Sequence, residues 1–333
     1  MKAWSWHRYG PPSEVLTLVD AAEPGVGPDD VLVRVRAASA NPYDWRHAMA
    51  DPKLARLSAG LRRPKPGLVL GADLAGVVER VGEGVTRFRP GDAVFGEVKL
   101  GSFAEAAAVP QDRLAAKPAR LTFEQAASVS MAAHTALQGL RDYGRIAAGQ
   151  RVLVNGASGG IGTFAVQLAK ALGAEVTGVC STRNVELVRS LGADDVVDYT
   201  REDFTERDGR YDLVMDIVGN RSLVRLRRPL VARGTLVIVG GIASARGRLL
   251  GPAALGLRGV LVSPFVGQRI ANVSWKPNSA DLEYLAELME SGKVTPVIDR
   301  TYPFAEVPEA LRYIERGHAR GKVAISVGDG QGE

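Results

Sequence analysis

The residues that can do chemistry cluster first at a turn. The run VLVNGASGGIG (152–162) carries an apolar strand into five consecutive small residues, Gly156, Ala157, Ser158, Gly159 and Gly160. A helical pattern, IGTFAVQLAKALG (161–173), follows and is closed by Gly173. Strand, bare turn and helix in that order let a backbone approach a pyrophosphate, and the first helical turn then aims free N–H groups at the phosphate oxygens. Gly162 allows helix and strand to pack closely. A tight turn without a ligand is the other reading, but so many small residues in a row cost conformational entropy without return. The next strand, EVTGVC (175–180), ends in Ser181–Thr182–Arg183, and no acid stands between Glu175 and Glu186. A site for an unphosphorylated ribose places Asp or Glu there. Ser181 can instead donate to a 2′-phosphate and Arg183 can pair with it, so NADPH is expected in preference to NADH. Arg183 can also be read as a solvated charge at a helix start.

The elements that must position these groups follow from pattern. Up to about residue 120 the chain is rich in short strand-like runs and turns: VLVRVRAA (31–38) alternates, GVVERVGEGVTRFRPGDAVFG (76–96) is broken by Gly and Pro–Gly–Asp turns, and GSFAEAAAVP (101–110) is another strand. This is a β-rich domain. Thr122 with Gln125 forms a capping box that opens a helical stretch. Strands are then expected at 151–157, 175–180, 194–199, 211–219, 234–241 and 258–265, with helices between them, including one over SLVRLRRPLVARG. Six strands so connected make an α/β, doubly wound parallel sheet. Beyond residue 266, Ser279 caps a helix, and strand TPVIDRTYPF, helix AEVPEALRYIERG and strand KVAISV complete the chain.

The 333 residues suit about two domains. The net charge of +5 would fit a nucleic-acid binder, but the arginines are scattered and no binding module accompanies them. There is no apolar run of about 18 residues, so no membrane span is expected. The N-terminus has no apolar h-region or small-residue cleavage site, and a lone cysteine, Cys180, excludes an intrachain disulfide; a cytoplasmic location is expected.

G-A-S-G-G-I-G-T-F-A-V-Q-L-A-K, V-C-S-T-R and L-G-A-D-D-V-V-D-Y resemble the zinc-free quinone oxidoreductase branch of the medium-chain dehydrogenases/reductases, and are similar to the reticulon-4-interacting protein group. S-A-N-P-Y-D-W, L-G-A-D-L-A-G-V-V-E-R-V-G and G-H-A-R-G-K agree, so the resemblance spans nearly the whole chain. It implies a GroES-like β domain from both chain ends (1–121 and 267–333), a Rossmann domain between (122–266), and a cleft where they meet. It places Ser158, Gly159, Gly160 and Ile161 along the pyrophosphate of NADPH. Ser181 and Tyr199 go to the 2′-phosphate with Arg183, Thr135 with Val239, Gly240 and Gly241 to the nicotinamide, and His318 and Arg320 to the cofactor from the other domain. Tyr199 can alternatively be a packing residue at a strand end, and His318 a surface loop residue. The resemblance also implies a homodimer, in which GVLVSPF pairs across the axis.

Zinc-dependent members carry a Cys in the first loop and Gly-His-Glu in the middle motif; this chain has Asn41 and Gly71–Ala72–Asp73. No metal is therefore expected. Without a Lewis acid, hydride delivery suits acceptors that are already electron-poor, namely quinones and α,β-unsaturated carbonyls. Asn41 and Tyr43 are the candidate donors to the acceptor oxygen. Equally, Asn41 can fix its loop, Tyr43 can pack on the ring, Asp44 can cap a turn, and water or a ribose hydroxyl can deliver the proton. NADPH-dependent reduction of a quinone is the leading expectation. Reduction of an enone C=C bond is the alternative, and a non-catalytic NADPH-binding sensor or structural protein is the alternative of another class.

Overall fold

The computed structural model describes residues 1–51, 56, 60–240, 259 and 266–328. Along the chain the strands are β1 (Lys2–Trp6), β2 (Leu16–Asp20), β3 (Asp30–Ala40), β4 (Asp73–Val81), β5 (Ala93–Glu97), β6 (Ala106–Pro110), β7 (Leu114–Ala116), β8 (Arg151–Asn155), β9 (Glu175–Cys180), β10 (Asp195–Asp198), β11 (Tyr211–Asp216), β12 (Leu230–Ile238), β13 (Arg269–Asn272), β14 (Ile298–Pro303) and β15 (Lys322–Ser326). They fall into two units. The first holds Met1–Met131, Pro277–Gly292 and Pro296–Glu333; the second holds Ala132–Lys276 and Lys293–Thr295.

The first unit is built on a seven-stranded sheet in the order β14-β15-β3-β4-β5-β7, with β6 also paired to β3, and on the hairpin β1-β2. β3 organises it. Val31, Val33 and Val35 alternate into a core with Trp4, Trp6, Leu70, Leu74 and Phe103, while Arg34 points out and pairs with Glu79 across the ladder. β15, at the far end of the chain, runs antiparallel to β3, Val323 opposite Ala40. The chain's last segment therefore closes the sheet that its first segment begins. The expected capping box is present, with Gln125 N–H donating to Thr122 Oγ1 and Thr122 N–H to Gln125 Oε1. The helix it opens, Phe123–Ala127, packs on β3 and β4, so it belongs to this unit, and the changeover comes only after Met131.

The second unit is a six-stranded parallel sheet in the order β10-β9-β8-β11-β12-β13. Its order reverses between β8 and β11, the switch point at which doubly wound sheets hold ligands. β8 is buried on both sides, and the helix Gly160–Ala171 covers it with Phe164, Ala165 and Leu168. Gly156 adopts φ +92°, open to glycine alone at little cost, and turns the chain from β8 toward that helix. A side chain on Gly162 would lie 2.0 Å from the Gly156 carbonyl oxygen, so the helix can sit this close only with glycine there.

The segment 258–265, expected as the sixth strand, lies outside the described residues apart from Gly259; among the described residues the sixth strand of the sheet is β13, parallel to β12. Two elements differ from their sequence patterns. The helix over SLVRLRRPLVARG is one short turn, Leu223–Arg227. Pro229 has no N–H to carry the helical ladder on, and Leu230 enters β12 at once because its side chain reaches the sheet core. The helix Ser279–Glu290 is capped by Asn278, whose Oδ1 accepts from Asp281 N–H at 2.8 Å, so Ser279 is its first helical residue. No helix among the described residues is long and apolar enough to cross a membrane.

Candidate functional site

Two groups of polar side chains are candidates for the site, one in each unit. In the second unit, the glycine turn after β8 and the end of β9 stand side by side, because those strands are parallel neighbours. Gly159 is extended (φ −87°, ψ 177°) and precedes the helix, in which Gly160 and Ile161 are the first residues. A Cβ on Gly159 would meet only the Gly156 oxygen at 3.5 Å. Gly156 and Gly162 are thus required by the fold, whereas Gly159 is not; its missing side chain leaves the start of the helix uncovered. The residues fit a pyrophosphate at this turn.

Ser158 in the turn and Ser181 after β9 are tied together by Asn184, which donates from Nδ2 to Ser158 Oγ at 2.9 Å and to Ser181 Oγ at 3.3 Å. Asn184 ends a short 3-10 turn, Thr182–Asn184, and is buried. Arg183 is exposed beside it, and Tyr199, just past β10, is 52% exposed with its N–H donating to Cys180 O. An acid does stand close by: Asp198 at the end of β10 accepts from Thr182 Oγ1, Thr200 N–H and Thr200 Oγ1. These bonds, that from Thr182 foremost, hold its carboxyl below the usual aspartate range. Val239 and Gly240 follow β12, Val239 N–H donating to Asp216 O. Thr135 is buried in the helix Ser130–Gln138. Gly241 lies outside the described residues. Between β8 and β11, Asp216 Oδ1 accepts from Asn155 Nδ2 at 2.7 Å, and burial pushes its carboxyl up.

In the first unit a buried ionic group joins β3, β4 and β15. Lys322 Nζ donates to Asn41 Oδ1 at 2.5 Å and to Asp73 Oδ2 at 3.3 Å, with the two charged side chains 4% and 0% exposed. Asp73 also accepts from Ser39 Oγ, Asn41 Nδ2 and Met131 N–H. Asn41 gives its amide to Asp73 and Ser39 O and its oxygen to Lys322, so its side chain is turned into the interior. Asp44 accepts from Asn41 N–H at 2.7 Å across the first turn of the helix Pro42–Met49, as expected of a turn cap. Its other oxygen is buried without a partner, and burial pushes its carboxyl well above the ordinary value. Tyr43 projects from the same helix turn, Oη donating to Lys99 O at 3.1 Å and its ring tilted against that of His47 with centroids 4.1 Å apart. Burial pushes the Tyr43 hydroxyl up to about 12. His318 and Arg320 are exposed near the chain's end, Arg320 N–H donating to Asp299.

Ala72, Asp73 and Asn41 do not make a metal centre: the carboxylate's accepting oxygen is taken by an ammonium and an amide, which a cation would have to displace. Among the described residues no three His, Cys, Asp or Glu side chains gather as metal ligands. Sequence reasoning missed Asn184 and Lys322. Lys322 lies in the quoted G-H-A-R-G-K, but its partner Asn41 is 281 residues away; Asn184, three residues after Ser181, carried no signal beyond its polarity.

The chain matches the alcohol dehydrogenase GroES-like domain over residues 27–119 and a domain described as zinc-binding dehydrogenase over residues 191–325. It is 36% identical to the mouse mitochondrial NAD(P)H oxidoreductase RTN4IP1, over 98% of this chain and 89% of that protein. It is 34% identical to 2-methylene-furan-3-one reductase of Solanum lycopersicum, over 98% and 79%. Escherichia coli quinone oxidoreductase, solved complexed with NADPH, superposes with a TM-score of 0.82 at 25% identity, covering 98% of this chain and 100% of that one. The expected cytoplasmic location is corrected by these relatives: the mouse protein, and those of zebrafish, cow and human that share its name, are mitochondrial.

Two outcomes follow from the buried group. Lys322→Met leaves Asp73 as an unpaired buried charge and is expected to lower unfolding free energy by about 3–5 kcal/mol in denaturant titrations, with Asp73→Asn in the same chain recovering part of the loss; additive losses would contradict the pairing. Because Asp44 binds its proton more tightly folded than unfolded, its contribution is complete below the ordinary aspartate pKa and is lost as pH rises through the raised one. Asp44→Asn keeps an accepting oxygen for Asn41 and should gain stability relative to the parent as pH rises above the ordinary aspartate pKa of about 4; a flat difference would contradict it.

Proposed function

This chain belongs to the medium-chain dehydrogenase/reductase family, in its quinone oxidoreductase-like branch, and from that premise we propose that it takes NADPH and reduces electron-poor acceptors without a metal. It is an NAD(P)H-dependent oxidoreductase. The preference for NADPH is carried by the pair of serines that Asn184 joins, with Arg183 exposed beside them and no free acid in the turn after β9. Asp198, the nearest acid, is occupied by three hydrogen bonds from Thr182 and Thr200.

A bound reduced nicotinamide supplies hydride to the acceptor. The glycine turn's role is to offer backbone N–H groups to phosphate oxygens, and Gly159 keeps them uncovered. In this reading Ile161 lies along the same phosphates, Tyr199 and Arg183 flank the 2′-phosphate, Thr135, Val239 and Gly240 line the nicotinamide, and His318 and Arg320 add contacts from the first unit. Tyr43 is the donor to the acceptor oxygen, its single hydroxyl proton turning to the acceptor from Lys99 O. A hydroxyl whose pKa is raised to about 12 stays protonated at any working pH, so it donates a hydrogen bond throughout. Asn41 serves by holding the loop: its amide is committed to Ser39, Asp73 and Lys322. Metal-independent working is supported by Ala72 and by the ammonium already bound to Asp73. The acceptor is a quinone, as in the name of the E. coli protein, or a conjugated enone, as in that of the tomato reductase. The working unit is taken to be a homodimer, and neither nucleic acid nor membrane enters this reading.

Arg183→Asp is expected to weaken NADPH by roughly 10²-fold and NADH far less, measured by cofactor titration; equal weakening would remove Arg183 from the 2′-phosphate. In steady-state assays with a benzoquinone, a phenanthrenequinone and an enone, the quinones should turn over. Turnover of the enone alone would make this a C=C reductase, and turnover of none would favour a binding protein.

A further inference from the structure

Asn184 ends the turn after β9, yet its side chain also reaches the glycine turn, so it touches both loops that meet a dinucleotide's phosphates in the reading above. Its Nδ2 carries two hydrogens and spends one on each serine, Ser158 from the glycine turn and Ser181 from the turn after β9. The side chain is 5% exposed, and its Oδ1 is buried with no hydrogen-bond partner. That orientation of the amide follows from energetics: turned over, it would bury an unpaired N–H, which proteins tolerate less than an under-used carbonyl. A serine oxygen that accepts from Asn184 keeps its own O–H proton to give elsewhere. Both hydroxyls are thereby set as donors on the side away from Asn184, the polarity an anion requires.

We propose that Asn184 is a specificity-determining residue that fixes the Ser181 hydroxyl as a donor to the 2′-phosphate of NADPH and, through Ser158, holds that hydroxyl at a set distance from the glycine turn. This deepens the NADPH reading and rests on it. Asparagine is needed for its donors. An aspartate of the same shape would accept from both serines, reverse their hydroxyls and place a negative charge behind the phosphate. The pyrophosphate rests mainly on backbone N–H groups and is shared by NADH, so the exchange falls less on it than on the 2′-phosphate.

The test is calorimetric titration of the full chain with NADPH, NADH and 2′-AMP, in the parent, Asn184→Asp and Asn184→Ala. Asn184→Asp should weaken NADPH and 2′-AMP by roughly 10²-fold and NADH by no more than about fivefold. Asn184→Ala, which carries no charge and guards against misfolding of the first variant, should lower the NADPH preference by roughly tenfold. Equal losses for NADPH and NADH would mean that Asn184 only braces the loop, and unchanged affinities would mean that it does nothing there; either overturns the proposal. A parent that binds NADH as tightly as NADPH overturns the 2′-phosphate reading itself, whereas a selective parent with selective variants overturns only the role of Asn184.

Discussion

The second unit depends on one close approach of backbone to backbone. The helix Gly160–Ala171 lies against the turn it leaves, because Gly162 has no side chain to hold it off the Gly156 carbonyl. That contact sets the height of the helix on β8, and the height decides where its first N–H groups stand. Gly178 in β9 repeats the device on the neighbouring strand, where a Cβ would lie 2.4 Å from Val188. Helix, turn and neighbouring strand are thus drawn together tightly enough for one buried amide, that of Asn184, to span two loops.

The first unit solves a different problem. It buries a lysine and two aspartates near the start of the helix Pro42–Met49, and it stays near charge balance because one aspartate pairs with the lysine while the other is pushed toward its neutral form. Taking charges out of water is expensive, and such a group persists where every member is hydrogen-bonded. Here it fixes Asn41, and through Asn41 the turn that presents Tyr43. The cation is part of the chain and arrives on β15, so the first loop is held in place by the end of the sequence.

What the sequence made legible follows the range of the interactions. β8, the glycine turn, the following helix and β9 are consecutive, and each is dictated by its own residues; the capping box of Thr122 and Gln125 is likewise local. The doubly wound parallel sheet was read from the alternation of strands and helices, whereas the return of the chain's end to the first domain came from resemblance. Segments decided by distant partners were read least well. The apolar run 230–232 looks helical beside Leu223–Arg227 but is drawn into β12 by its pairing with β11. Ser279 looked like a cap because the residue before it, Asn278, is an equally good one. Asn41 looked available for substrate because nothing local announces a lysine from the other end of the chain.

The central claim is that the turn before Gly160 is bare for a ligand and not for the fold. It is tested most directly by Gly159→Asp, followed by thermal unfolding and NADPH titration of the same sample. Aspartate is a favoured residue before the first helical position and meets no close neighbour there, so the melting temperature should hold or rise. Its carboxylate would stand where phosphate oxygens are held, so NADPH binding should be lost. A variant that is stable and still binds NADPH as the parent does would contradict the account.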